Sequence, residues 1–442
     1  MSYKRLFVFC GVLLLAIPAL SKTVRDTKEG NIIDLFRAGK ARYIIRYEHA
    51  FKDTLFVPNN SEIRFEGGRL SGPVIFQNTY LTGNVSLQGS SLKGHITNKT
   101  FNASWLCEMD GVSDDANNIN QAISVCGHVF FPKGTYRLIS EFDAKGKVPE
   151  GYLPSFKCHI GIGKSDVTLR GEQGAVFETY EQLGVLYFFS QPKQIENSIR
   201  NIEVDSITFK VHNDGKTYLG MIHTIKLMGV NGIKISNCYF DDFWGDAICL
   251  SHYGDSPGTG ERTRNQNVQL LYNTIKGGTH HNTRNGISVV SGKNVIIKNN
   301  SIISTSRKDK PGGIDIEPNN SAYTIENILI ANNYFEDIWG GGGAIGVCVF
   351  DGGPAYRVTI KNNVIRKCIE GIQLYIMTEN TTSDIVIKNN VFEDVRKPLS
   401  FEGEGSSRNW TIKGNSYPSL GRQKIPGRIK VDNLTVRNNK NN

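Results

Sequence analysis

Apolar and polar residues alternate in short runs along most of this chain, and the runs repeat. Eight phrases end in asparagine: GIKISN at Asn237, VQLLYN at Asn273, VIIKNN at Asn300, ILIANN at Asn333, VTIKNN at Asn363, IVIKNN at Asn390, WTIKGN at Asn415 and LTVRNN at Asn439. Most intervals run from 24 to 33 residues, and the longest, Asn237 to Asn273, contains a Gly/Thr/Arg-rich insertion from Gly254 to Arg264. A period of two is strand periodicity. A repeat this short cannot bury a face alone, so successive repeats must stack, strand on parallel strand, about 4.8 Å apart. An inward asparagine at each bend then has a use, because its amide both donates and accepts and can bond its own turn and the next.

A second strand column follows in each repeat: AICLS from Ala247, GISVV from Gly286, GIDIE from Gly313, AIGVC from Ala344, GIQLY from Gly371 and PLSFE from Pro398. Alternation makes Ile248, Ile287, Ile314, Ile345 and Ile372 one inward ladder, and Leu250, Val289, Ile316, Val347 and Leu374 the next. The outward rows are Cys249, Ser288, Asp315, Gly346, Gln373 and Ser251, Val290, Glu317, Cys348, Tyr375, predicted to lie on an exposed parallel sheet. Forty-six glycines against 14 prolines suit many short strands joined by tight turns.

Upstream, DGVSDDANNINQAI from Asp110 predicts a short helix with Asp114 or Asp115 as its cap and Ile119 and Ile123 as its apolar stripe. HVFFPKGTYRL follows as strand. Residues 50–105 read as small Gly-turned β coils, and residues 22–49 carry no clear pattern. Together the Asn-terminated phrases, the second column and the 110–123 segment resemble the right-handed parallel β-helix proteins of the pectate-lyase-like superfamily, over most of the chain. That resemblance implies an all-β solenoid whose open end is capped by the short helix, and a carbohydrate-directed, exported protein. The expected organisation is a signal peptide at 1–21, an N-terminal β segment at 22–105 and the β-helix at 106–442.

Composition refines this expectation. Lys4 and Arg5, the apolar run Leu6–Ile17 and Ala19-Leu20-Ser21 form a secretory signal pattern, too short to span a membrane. Without Lys4 and Arg5 the formal charge falls from +9 to +7, which suits an acidic polysaccharide in an exported protein. No helix-turn-helix, phosphate loop or H-E-x-x-H motif is present, so no nucleic-acid partner is expected; a monomer is. Seven cysteines remain after Cys10, an odd number without a C-x-x-C pair, and read as buried thiols.

The candidate chemistry lies on the outward rows. Asp315 and Glu317 point the same way about 6.6 Å apart along one strand, and adjacent carboxylates call for a cation, a substrate or an arginine. Asp246 opens GDAICL, His252 closes it, and GGTHHNTRNG brings His280, His281, Arg284 and Asn285 to the next strand. The catalytic candidates are therefore His280, His281, Arg284, Asp315, Glu317 and Asp246. His252, Asn285, Ser288, Gln373 and Tyr375 are expected to bind substrate, and Asp315 with Glu317 to offer a calcium site. A polysaccharide lyase would use Arg284, with or without calcium, to neutralise a uronate and His280, His281 or Tyr375 as base or acid. A glycoside hydrolase would use two of Asp246, Asp315 and Glu317. GDAI resembles one pectinase hydrolase motif but lacks its second aspartate, and positive charge with the His/Arg loop favours the lyase. A non-catalytic glycan-binding β-helix would instead present aromatics such as Trp244, Tyr253, Trp339 and Tyr375.

Overall fold

The structure, a computed structural model, describes residues 22–148, 153–154, 156–190, 199–252, 264–278, 280, 282–306, 312–319, 321, 323–350, 352–417 and 428–441. The signal pattern at 1–21, Tyr253, His281 and the insertion up to residue 263 lie outside them. The described residues form two compact units, one ending at Thr97 and one beginning at Asn98.

The first unit is a set of small parallel coils. Strands Thr23–Arg25, Arg42–Ile45, Glu62–Phe65 and Pro73–Gly83 pair in that order, and Ser91–Ile96 joins the last. Residues 22–49, silent in the hydrophobic pattern, hold the first two of these strands and the five-residue helix Ile32–Phe36. Buried Asp26 ties them together: it accepts the backbone N–H groups of Arg46 (2.8 Å) and Tyr47 (2.9 Å) and meets His49 Nε2 at 3.0 Å. At Gly83, φ is +77° and a Cβ would stand 2.1 Å from the Phe65 carbonyl oxygen, so only glycine fits.

The second unit is a right-handed parallel β-helix. Each turn contributes three strands, illustrated by Gly292–Lys298, Ser301–Ile303 and Gly312–Ile316. The first kind stacks into a 13-stranded sheet, and the other two combine in a 19-stranded sheet, among the described residues. The middle strands of the central turns, such as Ser301–Ile303 and Tyr334–Glu336, are three residues long and too short to register as a separate column in the sequence; they bury Ile302 and Phe335. In the later turns they run on into the third strand, as Val364–Ile376 and Val391–Glu402, burying Ile365 and Phe392. The column bearing Asp315 has the register expected from alternation, with Ile248, Ile287, Ile314, Ile345 and Ile372 paired in succession, and Leu250, Val289, Ile316, Val347 and Leu374 likewise.

The asparagine ladder is real but starts one rung later. Asn333 shows the pattern: its Nδ2 donates to Ile297 O and Asn363 Oδ1 (both 3.0 Å), and its Oδ1 accepts from the Asn300 N–H (2.9 Å) and Nδ2 (3.0 Å). The same bonding runs from Asn273 to Asn439. Asn237 is not a rung; the inward place belongs to Cys238, whose N–H donates to Asn273 Oδ1 at 3.0 Å. Asn237 instead aligns with Tyr272, Asn299, Asn332, Asn362, Asn389 and Asn438, all at φ between 54° and 58°, a left-handed bend that asparagine tolerates well. A further exposed stack, Asn231, Asn267, Asn294 and Asn327, is joined side chain to side chain at 2.7–3.0 Å.

The helix Ala116–Cys126 buries Ile119 and Ile123 as expected. Its two aspartates are structural: Asp114 accepts the Ala116 N–H (3.1 Å), and Asp115 accepts those of Glu108 (2.9 Å) and Met109 (3.0 Å). All seven cysteines are unpaired, and all but the half-buried Cys126 are buried.

Candidate functional site

The outward row through Asp315 extends further back than its sequence signature. In register it reads Tyr187, Lys226, Cys249, Ser288, Asp315, Gly346 and Gln373. Contrary to expectation the row is not exposed. Cys249, Ser288 and Asp315 are at most 3% accessible, because flanking side chains close over them. On the earlier turns Phe142, Leu153 and Phe156 pack over Tyr187, Phe189 and Met228; near Cys249, Tyr323 covers Val290.

Arg284 stands at the centre of the cluster. Its backbone N–H donates to Gly245 O at 2.9 Å, placing the side chain between strands. Nη2 donates to Glu317 Oε2 at 3.0 Å, and Nη1 lies 3.6 Å from Asp246 Oδ2. Asn285 then knits three turns together. Its N–H donates to Asp246 Oδ1 (3.0 Å), its Nδ2 donates to Ser288 Oγ (2.8 Å) and weakly to Asp315 Oδ2 (3.4 Å), and its Oδ1 accepts the Gly312 N–H (2.8 Å). The buried Asp315 Oδ1 has no hydrogen-bond partner, whereas Asp246 Oδ2 has the ion-pair contacts with Arg284 and, at 3.1 Å, with His223 Nδ1. Room on the Asp315 Oδ1 side exists because position 346 is glycine; a Cβ there would stand 3.6 Å from that oxygen.

The carboxylates respond oppositely to these surroundings. Burial pushes Asp315 well above the usual carboxylate range, the Glu317 charge adds to this, and Arg284 only partly offsets it. Glu317 is also raised, mainly by burial, with Arg284 opposing. Burial thus favours the neutral form in this pair, most strongly at Asp315. Burial would raise Asp246 too, but Arg284 and His223 outweigh it and hold the carboxyl below its ordinary value. A carboxyl raised above its ordinary pKa and one held below it therefore sit on either side of one guanidinium.

His223 and Lys226 were missed, although HTIKLM carries the same alternation as DAICLS. His223 Nδ1 accepts the Asp246 N–H at 3.2 Å and lies 3.1 Å from Asp246 Oδ2; burial lowers its pKa, against the Asp246 charge. Lys226, nearly fully buried, is lowered by burial, with Cys249 and Asp246 opposing. His223, Asp246 and Cys249 bring metal-ligand atoms within 4.8 Å of one another, but burial raises the Cys249 thiol, and Lys226 and Arg284 already supply the positive charge. Calcium at Asp315 and Glu317 would compete with Arg284 for the Glu317 carboxylate. It asks for six to eight oxygen ligands, of which these two carboxyl groups would supply a part, and Arg284 is bonded to Glu317 Oε2 here.

Of the other candidates, His280 lies apart from the carboxylates in its bonding. Its Nε2 donates to Asp242 Oδ2 at 2.9 Å, and its Nδ1 accepts the Asn282 N–H at 2.9 Å. It fastens its loop. His252 stacks on Tyr323 at 3.7 Å, and Tyr375 packs beside Phe350 at 5.0 Å. Gln373 lies two turns beyond Asp315 in the same row and reaches Glu370 at 3.5 Å. Trp244 is 3% exposed, with its indole N–H donating to Glu181 O, so it cannot serve as an open platform.

Residues 223–392 and 263–440 each match the family model described as right handed beta helix region. The chain is a right-handed parallel β-helix protein. No curated protein sequence matches it. Solved structures similar to this β-helix protein include PfbA, a surface adhesin of Streptococcus pneumoniae (15% identity, 87% of each chain, TM-score 0.41). Others are a PL6 alginate lyase in complex with a trisaccharide (14% identity, 94% of this chain and 88% of that one, TM-score 0.41) and the endo-xylogalacturonan hydrolase of Aspergillus tubingensis (11% identity, 77% and 91%, TM-score 0.44). Among the described residues no helix is long and apolar enough to cross a membrane.

Proposed function

We propose that this β-helix protein cleaves glycosidic bonds by hydrolysis, with Asp315 as general acid and Asp246 as general base. The observation that carries this reading is the opposite displacement of two buried carboxyl groups across Arg284, with Asp315 Oδ1 unpartnered. Environments that push two carboxyl groups apart assign acid and base roles. The resemblance to pectate-lyase-like β-helix proteins supplies the substrate class, a glycan. In the step, Asp315 gives its proton to the departing glycosidic oxygen while Asp246 takes one from the attacking water. Glu317 and Arg284, 15% and 17% exposed, form the side open to solvent, and a glycan reaches the fully buried Asp315 and Asp246 only when the side chains covering this row part.

Elimination is the less supported reading. A lyase needs a cation to neutralise the uronate carboxylate, and Arg284 already faces Asp246 and Glu317. The test is incubation of the purified protein with neutral and acidic polysaccharides, following both reducing ends and the ultraviolet absorbance of unsaturated uronates. Hydrolysis predicts new reducing ends without absorbance, lost in Asp315→Asn and Asp246→Asn. Absorbance in step with cleavage would establish elimination, and no cleavage of any glycan would refute both.

A further inference from the structure

The 13-stranded sheet carries a second feature that the hydrolase reading does not use. Lys361, Lys388, Lys413 and Arg437 occupy the same register position on four successive parallel strands. Lys298 stands two strands earlier, with Ala331 between. Neighbouring strands lie about 4.8 Å apart, so these like charges repeat at that interval along the coil. Like charges directly opposite each other destabilise a sheet. Among the described residues none of these five cations has an ion-pair partner, and the three later lysines are half-buried with Arg437 exposed.

The fold solves the same problem differently elsewhere. On the 19-stranded sheet Arg137, Glu178, Lys210, Asp241 and Lys276 share one register row and alternate in sign strand by strand, with Lys210 and Glu178 paired at 2.9 Å. The cationic row is therefore not a general habit of this coil. Beside it, two residues back on each strand, lie Thr359, Val386, Thr411 and Thr435; the three threonines offer hydroxyls, and none of the four carries an aromatic ring.

We propose that this row is a binding surface for a linear acidic glycan lying along the coil axis, its carboxylates or sulfates matched to successive rungs and its hydroxyls to the threonines. A sugar residue repeats on the length scale of one rung. Single-stranded nucleic acid, the other linear polyanion, is held largely by aromatic stacking, and these rows offer none. The proposal does not rest on Asp315 or Asp246, and binding is measured independently of cleavage.

The experiment is affinity electrophoresis of the full chain carrying Asp315→Asn, at low and raised salt, through gels containing polygalacturonate, alginate, chondroitin sulfate or dextran. A single-stranded oligodeoxynucleotide is titrated in parallel. The expected result is salt-sensitive retardation by at least one acidic glycan and none by dextran. Adding Lys361→Gln, Lys388→Gln and Lys413→Gln together should weaken binding roughly ten-fold or more, and the same three changed to arginine should retain it. If the triple glutamine variant does not fold, by circular dichroism, Lys388→Gln alone must weaken binding measurably. Unchanged affinity in the folded glutamine variant, no retardation by any acidic glycan, equal retardation by dextran, or tighter binding of the oligonucleotide would each overturn the proposal.

Discussion

Replacing Asp315 by asparagine should stabilise the protein at neutral pH while abolishing cleavage. Asparagine has the same shape and cannot ionise, so it mimics the protonated carboxyl that the folded state favours. Asp315 is fully buried, with Oδ1 unpartnered and the Glu317 carboxyl beside it. Burial first, and the Glu317 charge second, raise its pKa well above the ordinary 3.8. A carboxyl raised on folding contributes stability that is complete below the unfolded value and is lost as pH climbs through the folded one. Each unit of that rise costs the wild-type protein about 1.4 kcal/mol at higher pH, and the amide avoids this cost. The variant should therefore gain at least about 1.4 kcal/mol near pH 7, with the gain vanishing below pH 3.8. Urea unfolding followed by circular dichroism at pH 7 and at pH 3.5, beside a reducing-end assay, reads both effects. A variant less stable than wild type at pH 7 would refute the reasoning, because it would make Asp315 an anchor and not a strained functional group.

Asp26 supplies the contrasting case. Burial raises it, but the Tyr47 and Arg46 N–H groups outweigh this and leave the pKa lowered, so Asp26→Asn should lose roughly 1–3 kcal/mol at pH 7 in the same urea assay. Arg284→Gln strands the carboxylates around it and should cost about 3–5 kcal/mol at neutral pH, less at acidic pH where Glu317 is protonated; thermal unfolding at the two pH values checks both parts. Asn333→Ala leaves the Ile297 carbonyl and the Asn300 N–H bare and should cost on the order of 2–6 kcal/mol. Asn237→Ala, losing one exposed bond to Asp205 and placing alanine in a left-handed bend, should cost about 1–2 kcal/mol by the same measurement. His159, buried between Ser140 O and Thr179 Oγ1, has its pKa lowered by burial to about 4. Its contribution is present above the ordinary 6.5 and lost as pH falls through 4, and an NMR titration that finds it protonated at pH 5.5 would contradict this.

The repeating part of the fold was legible because two-residue periodicity, once per turn, leaves little freedom. Ile314 could stack only on Ile287 and Ile345 without turning its whole strand inside out. The ladder was misplaced by one residue at Asn237 because asparagine suits both the inward rung and the left-handed bend just before it; VIIKNN contains one of each, whereas GIKISN is followed by cysteine. The meeting of Asp246, Arg284, Asp315 and Glu317 followed from register. What alternation could not convey was depth: whether an outward side chain meets solvent or is covered depends on segments such as 142–156, which have no period. His280 was misjudged for a related reason, since its partner Asp242 sits on a preceding turn at a left-handed bend.

The groups around Arg284 are supplied by four consecutive turns, with His223 and Lys226 on one, Asp246 and Cys249 on the next, then Arg284 with Asn285 and Ser288, then Asp315 and Glu317. Their spacing along the coil is consequently set by the pitch of backbone hydrogen bonding, which no surface substitution can stretch. A site assembled in this way adjusts by discrete steps, through exchange of a side chain at a fixed address, and not by gradual reshaping of a loop. Whole-turn insertions outside residues 223–317 should leave its geometry intact, whereas a single added turn between Asp246 and Asp315 would move these two carboxyl groups apart by one further strand spacing.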